Sequence, residues 1–370
     1  MLLVRTRRET LLAPLQAVSG IVERRHTLPI LANVLLEKRG DVLTLLATDV
    51  EMQLTTSSSS VAGDEDGALT VAARKLQDIL RSLPEGIEIS LVLDSRRLQL
   101  RAGKSRFNLQ TLPAEDFPCM SVAEGTSQDL RLTQRDLRQL LAQTQYAMAN
   151  QDVRYYLNGL LLMVADGELR AVATDGHRLA FASVSVADLP ADIRRELILP
   201  RKTVIELSRL LADNDEPVEV SVLENQVRFS FASMNLVSKL IDGRFPDYQR
   251  VIPASLRNVV AVDRNVLLQS MIRAAILTSE KFRGVRLILN EGSLQIVAAN
   301  TEQEEAEEEI EVDYHGEPLD VGFNVTYLLD VLNNTNAETV QWGFNDANSS
   351  ALLTVSGNER FKYVVMPMRI

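Results

Sequence analysis

The sequence predicts an α+β protein of three similar domains, each holding two helices and a mostly antiparallel sheet. Three observations carry this expectation: a strand–turn–strand pattern found three times, an amphipathic helical segment after each copy, and constant spacing between copies. LPILANVLLEKRGDVLTLLATDVEMQL, from Leu28, reads as a strand, a turn at Arg39-Gly40-Asp41, a second strand, then Ala-Thr-Asp. YYLNGLLLMVADGELRAVATDGHRLAF, from Tyr155, has the same order with its turn at Asp166-Gly167. FRGVRLILNEGSLQIVAANTEQ, from Phe282, repeats it with Asn290-Glu291-Gly292 at the turn. Thr48, Thr174 and Asn300 fall at one place in the repeat, 126 residues apart each time.

Each element has a local cause. An early helix precedes each first strand, with Thr6 and Glu9 or Thr133 and Asp136 placed as capping boxes and Asp263 as a simple N-cap. Pro14 falls inside the first of these helices and is expected to bend or break it. In the middle copy Leu137, Leu140, Leu141, Thr144 and Met148 form one apolar stripe at helical spacing. ARKLQDILRSL, PRKTVIELSRLL and NVTYLLDVLNN supply the second helices, as with Leu76, Ile79, Leu80 and Leu83. More strands follow, ending at FNLQTLPAEDFP, LVSKLIDGRFPDY and FKYVVMPMRI. The expected domains are 1–124, 125–253 and 254–370. Hairpins and amphipathic helices also recur by chance in α+β proteins, but the same order at a near-constant period favours a repeat.

Composition bounds the function. A 46% hydrophobic and 24% charged chain of 370 residues is globular rather than disordered. A lone cysteine, Cys119, leaves no disulfide framework and no cysteine-built zinc site. MLLVRTRRET holds no apolar stretch of signal-peptide length, and no 18-residue apolar run occurs, so a soluble, cytoplasmic protein is expected. The net charge of −11 is unevenly spread, because the segment 300–317 holds nine acids and no Lys or Arg. A basic surface can therefore coexist with an acidic total.

Chemistry-bearing motifs are few. His26, His177 and His315 lack metal-site spacing, and there is no phosphate loop, dinucleotide fingerprint, nucleophile elbow or HExxH, so neither metal nor cofactor is expected. Gly63-Asp64-Glu65-Asp66-Gly67 is too short for a calcium loop. Asp175 and His177 in Ala-Thr-Asp-Gly-His are open to two readings, an acid–base pair of a hydrolase or a tight turn. The recurrence of Ala47-Thr48-Asp49 in the first copy favours the turn. Basic residues cluster at or near the predicted helices: Arg7 and Arg8, Arg74 and Lys75, Arg135 and Arg138, Arg201 and Lys202, Arg264 and Arg273. Repeated on equivalent elements, they would build a positive lining that meets phosphates without reading bases.

HTLPILANVLL, QDVRYYLNGLLL, ATDGHRLA, LIDGRFPDYQRV, EKFRGVRL, NTEQEEAEE and VVMPMRI closely resemble the bacterial DNA polymerase III beta sliding-clamp family, across all three thirds. The resemblance implies a head-to-tail homodimer whose six domains close a ring, helices lining the hole and sheets forming the rim. It also implies a non-enzymatic processivity factor that encircles duplex DNA without sequence preference and tethers the replicative polymerase. Such a ring needs only weak phosphate contacts, since closure prevents escape, and an ATP-driven clamp loader would open it. A three-repeat scaffold binding only proteins is the alternative reading.

The resemblance carries site residues over by motif. A peptide groove shared by polymerases, loader and repair proteins would use Arg154, Tyr156, Leu157, Thr174, Gly176, His177, Arg178 and Leu179. Pro246, Arg250 and Val251 would join it, as would Val365, Met366, Pro367, Met368 and Arg369, with Asn348 and Ser350 at its border. Adaptable methionines suit varied ligands, and His and Arg would orient the peptide. DNA contacts would be Arg25, Arg74, Gln151, Tyr155 and Tyr156, with Arg201 and Lys202. The dimer interface would set Ile276, Leu277 and the acids Glu302, Glu304, Glu305, Glu307 and Glu308 of one protomer against Lys75, Lys104, Arg106, Phe107 and Leu109 of its partner. Ile370 stands where the family often has leucine, and Asn348 is unusually polar for its place.

Overall fold

The structure is a computed structural model that describes residues 2–22, 28–59, 61–63, 65–94, 97–121, 128–186 and 194–370. Arg25, His26 and Asp64 lie outside the described residues. The chain divides into two compact units: Met1–Arg135 with Glu206–Leu240, and Asp136–Ile205 with Ile241–Ile370. Among the described residues there are six α-helices: α1 Arg8–Ser19, α2 Ala73–Ser82, α3 Gln134–Ala142, α4 Arg201–Leu210, α5 Arg264–Ala275 and α6 Val325–Asn333. Every strand pairing is antiparallel. The α+β prediction therefore holds.

The first unit is one twelve-stranded sheet. Its middle is the repeat hairpin, Asn33–Arg39 with Val42–Thr48, followed by Met52–Ser58. Met52–Ser58 then pairs with Met234–Lys239, with Leu54 opposite Leu236. The second unit holds an eight-stranded sheet, in which Arg178–Ser185 pairs with Asn358–Val365, and a four-stranded sheet ordered Glu305–Glu311, Ser293–Ala299, Gly284–Asn290, Leu319–Asn324. The hairpin turns fall where expected. Gly40, Gly167 and Gly292 take φ of 58°, 74° and 74°, the left-handed region where a missing Cβ removes the steric cost.

Helix packing follows the sequence stripes. Leu76 and Leu80 of α2 are fully buried while Arg74, Lys75 and Asp78 face water. Leu137, Leu140, Leu141, Thr144 and Met148 are all buried, although α3 ends at Ala142. Asp263 caps α5 by accepting from the Val266 amide at 2.8 Å. Two expectations fail at α1. Thr6 is the penultimate residue of strand Leu2–Arg7, Arg7 holds the N-cap position without a side-chain bond, and Glu9 instead accepts from the Gly86 amide at 3.0 Å. The helix also runs unbroken through Pro14, whose missing N–H leaves only the carbonyl of the half-buried Thr10 to find water.

Three of the arginines at the helix starts also have structural work to do. Arg8 Nε donates to the Leu80 carbonyl at the C-terminal end of α2, at 2.7 Å. In the third copy Arg264 Nη1 donates to the Leu332 carbonyl of α6 at 2.9 Å, and its Nε to the Ala337 carbonyl at 3.0 Å. Arg135 grips Asp213 and Asp215 at 2.9 and 2.6 Å beyond α4. Cations at a helix C-terminus satisfy its orphan carbonyls and its dipole. The device ties the paired helices of a repeat together.

Candidate functional site

The most elaborated copy of the repeat turn lies at Thr174–Arg178. Thr174 Oγ1 donates to the Arg178 carbonyl at 2.6 Å and accepts from the Gly176 amide at 3.1 Å. Asp175 Oδ1 accepts from the amides of His177 and Arg178 at 2.9 and 3.1 Å. The first copy makes the same bonds: Thr48 Oγ1 to the Met52 carbonyl at 2.8 Å, and the amides of Glu51 and Met52 to Asp49 Oδ1 at 3.0 and 2.8 Å. In the third, Asn300 Oδ1 accepts from Glu302 and Glu304 at 2.9 and 3.0 Å. The Asp175 carboxylate is thus engaged in building a turn, the reading that recurrence favoured.

Gly176 takes φ +89°, and a Cβ there would meet Arg154 Nη2 at 2.9 Å. Arg154 is anchored to Asp152 through Nε at 3.0 Å and Nη2 at 2.9 Å. That guanidinium, with the Arg154 amide, holds the Asp152 carboxyl down at about 2. Arg178 is the hub beneath. Its side chain is 10% exposed and donates to Asp175 at 3.1 Å, Asp330 of α6 at 2.5 Å and the Tyr146 carbonyl at 2.6 Å. Its guanidinium also lies 4.4 Å from the Tyr327 ring centroid. Arg178 therefore fastens the turn to α6, with its donors turned inward rather than offered to a ligand.

Beside this turn opens a cavity of about 310 Å³. It is lined by Arg154, Leu157, Thr174, Gly176, His177, Arg178, Leu179, Phe245, Pro246, Tyr248, Val251, Ser350, Val364 and Met366. The walls are mainly apolar, with exposed Arg154 and His177 at the turn, a combination that buries apolar side chains and orients a backbone. Most residues expected at a groove are gathered here. Phe245, Tyr248 and Val364 were not among them.

The other expected groove residues do not line this cavity. Val365 is fully buried and, by strand alternation, faces away from Val364. Tyr156 packs on the core beneath the cavity without lining it. Arg250 pairs with Asp247 at 2.9 Å, and the Asn348 amide caps Asp346 at 2.8 Å. The tail leaves the cavity after Met366, whose amide donates to the His177 carbonyl at 2.8 Å. Pro367, Met368 and Arg369 continue past the cavity. The Met368 amide donates to the Gly322 carbonyl at 2.8 Å, and Ile370 packs over Gly284 and Gly322.

Of the expected DNA contacts, Arg74 and Gln151 are exposed, Gln151 at φ 58°. Tyr155 is 59% exposed and meets Tyr156 edge-on at 5.8 Å. Arg201 is half-buried and donates to the Met148 carbonyl at 3.1 Å, and Lys202 is half-buried.

Most of the expected interface residues lie on or beside two strands with unpaired edge positions. Lys104, Arg106, Phe107 and Leu109 lie on or beside strand Ser105–Leu112, which pairs with Arg97–Ala102 on one side and on the other only at Thr111 and Leu112. Lys75 is exposed on α2. Glu305–Glu311 is the outermost strand of the four-stranded sheet, with Glu302 and Glu304 in the turn before it. The acidic run is therefore a β-strand rather than a solvated loop. Ile276, at the end of α5, is 75% exposed and Leu277 is half-buried. Glu308 differs from Glu305 and Glu307 because Arg273 holds it at 2.7 and 2.6 Å and keeps its carboxyl below the usual range. Glu308 and Arg273 are thus already paired within the chain.

Comparison with known proteins gives a consistent answer. Three family models match in order: the N-terminal domain of the DNA polymerase III beta subunit at 2–121, its central domain at 131–247, and its C-terminal domain at 249–369. The beta sliding clamp of Pseudomonas putida is 50% identical over 363 residues, covering 98% of each chain. That of Escherichia coli is 47% identical over 364 residues, again 98% of each. Among solved structures, a Pseudomonas aeruginosa sliding clamp bound to griselimycin matches with TM-score 0.94 at 48% identity over 100% of both chains. A Caulobacter crescentus beta sliding clamp matches with TM-score 0.94 at 40% identity, covering 100% of this chain and 99% of that one. Its repeat, its turn and its relatives agree: the chain belongs to the DNA polymerase III beta subunit family, the bacterial sliding clamps.

Proposed function

We propose that this chain is a processivity clamp, a non-enzymatic cytoplasmic protein that closes around duplex DNA as a homodimer. It holds the replicative polymerase, the clamp loader and other partners by short linear peptides seated in the cavity beside Thr174–Arg178. That cavity is the observation on which the reading rests. It is mainly apolar, and bordered by an adaptable methionine and by exposed Arg154 and His177. An Asp175 carboxylate engaged in turn bonds supports a binding role over hydrolysis.

The repeat itself supports the dimer. The strand after each turn occurs at Met52–Ser58, Arg178–Ser185 and Glu305–Glu311, and the last strand of each domain at Ser105–Leu112, Met234–Lys239 and Asn358–Val365. The first turn-strand pairs with the second domain's last strand, and the second turn-strand with the third domain's last strand. Continuing the rule, Glu305–Glu311 would pair with Ser105–Leu112 of a second copy. Among the described residues Glu305–Glu311 is an edge strand and Ser105–Leu112 is unpaired on one side except at Thr111 and Leu112, and two such heterologous contacts close a symmetric dimer. Lys104 and Arg106 would face the acids, while Ile276, Leu277, Phe107 and Leu109 form the apolar centre. The division into domains 1–124, 125–253 and 254–370 belongs to the same proposal. DNA would be met weakly by Arg74, Gln151 and Tyr155.

Loader-dependent retention on circular duplex DNA tests this reading. Retention lost on linearisation is expected; equal retention on both forms, or none on either, would overturn it.

A further inference from the structure

Tyr248 lines the groove and also a second, more open cleft of about 1010 Å³ on the same sheet. Arg170, Ser183, Phe181, Arg360 and Lys362 line this cleft from three neighbouring strands, with Arg170 opposite Ser183 and Phe181 opposite Lys362. Arg170 is already bonded to Glu168 and Asp166 at 3.0 and 2.9 Å. Arg360 and Lys362 form no ion pair among the described residues. Arg360 donates to Ser185 Oγ at 2.7 Å, and the Lys362 amine stands 5.9 Å from the Phe181 ring centroid. Glu359 is the remaining acid of the lining.

Tyr248 stands between the two surfaces. It is 7% exposed, and its ring stacks on Phe181 at 5.8 Å and 25°. A carboxylate, which only accepts, suits the two cations beside it.

We propose that this cleft receives an acidic segment of the partner protein, directly flanking the peptide that fills the groove, with its carboxylates on Arg360 and Lys362. The inference rests on the groove being the peptide site, and Tyr248 makes the two surfaces continuous. Nucleic acid fits less well, because Glu168 and Glu359 border the cleft and only two cations are unpaired.

The test uses the full chain and three fluorescein-labelled peptides: a polymerase tail peptide, and the same peptide extended by four Asp/Glu residues at its N-terminal or at its C-terminal end. Fluorescence anisotropy should give one extended form about three- to tenfold tighter binding, the worth of one or two exposed ion pairs, with the gain lost at high salt. Arg360→Glu with Lys362→Glu should abolish the gain and leave the unextended peptide unchanged. Equal affinities for all forms, or a gain that survives the double substitution, overturn this inference alone. No binding of the unextended peptide overturns the groove reading and this one with it. A short DNA duplex that competes with the extended peptide but not the unextended one would assign the cleft to phosphate and also overturn it.

Discussion

Arg178→Met separates a clamp from a ligand-orienting group. The substitution keeps the apolar stem and deletes the guanidinium, with its bonds to Asp175, Asp330 and the Tyr146 carbonyl at 3.1, 2.5 and 2.6 Å. Breaking a fully buried pair costs about 3–5 kcal/mol, and each hydrogen bond to a charged group about 1.5–3 kcal/mol, without additivity. The Asp330 side chain is 34% exposed and Asp175 17%, so water recovers part of that loss. We expect a loss of about 3 kcal/mol. Arg178→Lys should recover less than half, because a compact ammonium cannot reach three divergent acceptors. Urea unfolding read by the single tryptophan suits the question, since Trp342 is 1% exposed and lies in the same eight-stranded sheet. A lower midpoint at constant slope is expected, with a double-mutant cycle against Asp330→Asn showing coupling above 0.5 kcal/mol. An unchanged midpoint with lost peptide affinity would refute the reasoning, because Arg178 would then act on the ligand.

Gly322→Ala would place a Cβ 2.5 Å from the Met368 carbonyl and 2.8 Å from Ile370 Cδ1, lifting the tail that positions Met366. Peptide affinity should fall about three- to tenfold, a partial loss of one methionine contact, and unchanged affinity in anisotropy would dismiss the tail's role. Ile276→Ala with Leu277→Ala should yield a folded monomer that still binds polymerase peptide; sedimentation showing an intact dimer rejects the interface. The Asp152 carboxyl, held at about 2, contributes stability that is complete above the unfolded value near 3.9 and disappears as pH falls through about 2. NMR titration should show that midpoint, and Arg154→Ala should raise it; a midpoint near 4 in the unaltered chain contradicts the Arg154 contact.

The repeat was legible because its cues are local: glycine at the hairpin turns, Thr-Asp after the second strand, and leucines at helical spacing. The cavity was legible only where a motif carried it. Phe245 and Tyr248 lie in an irregular stretch where no periodicity distinguishes a lining side chain from a packed one. Val364 and Val365 differ only in strand parity, which depends on register with Arg178–Ser185 and not on composition. Helix arginines were legible only as charge. Charge at a helix start is visible in sequence, whereas the carbonyl that Arg8 or Arg264 meets is contributed 72 or 68 residues away. Pro14 misled for a similar reason, since the cost of its missing donor depends on whether water reaches Thr10.

At the crest of the first two turns stand Val50 and Gly176, with φ of 69° and 89°, and the longer third turn bends at Gln303 with φ 65°. A branched residue in left-handed backbone costs about 1–3 kcal/mol, so Val50 shows that its Thr48 and Asp49 bonds dictate the bend by themselves. The crest is thereby released from shaping the chain and can be chosen by its surroundings. At Gly176 a neighbour's guanidinium crowds that spot, and there the side chain is absent. One thrice-used architecture can accordingly carry a single specialised feature: tinkering is confined to an ornament, while the masonry beneath stays common to all three.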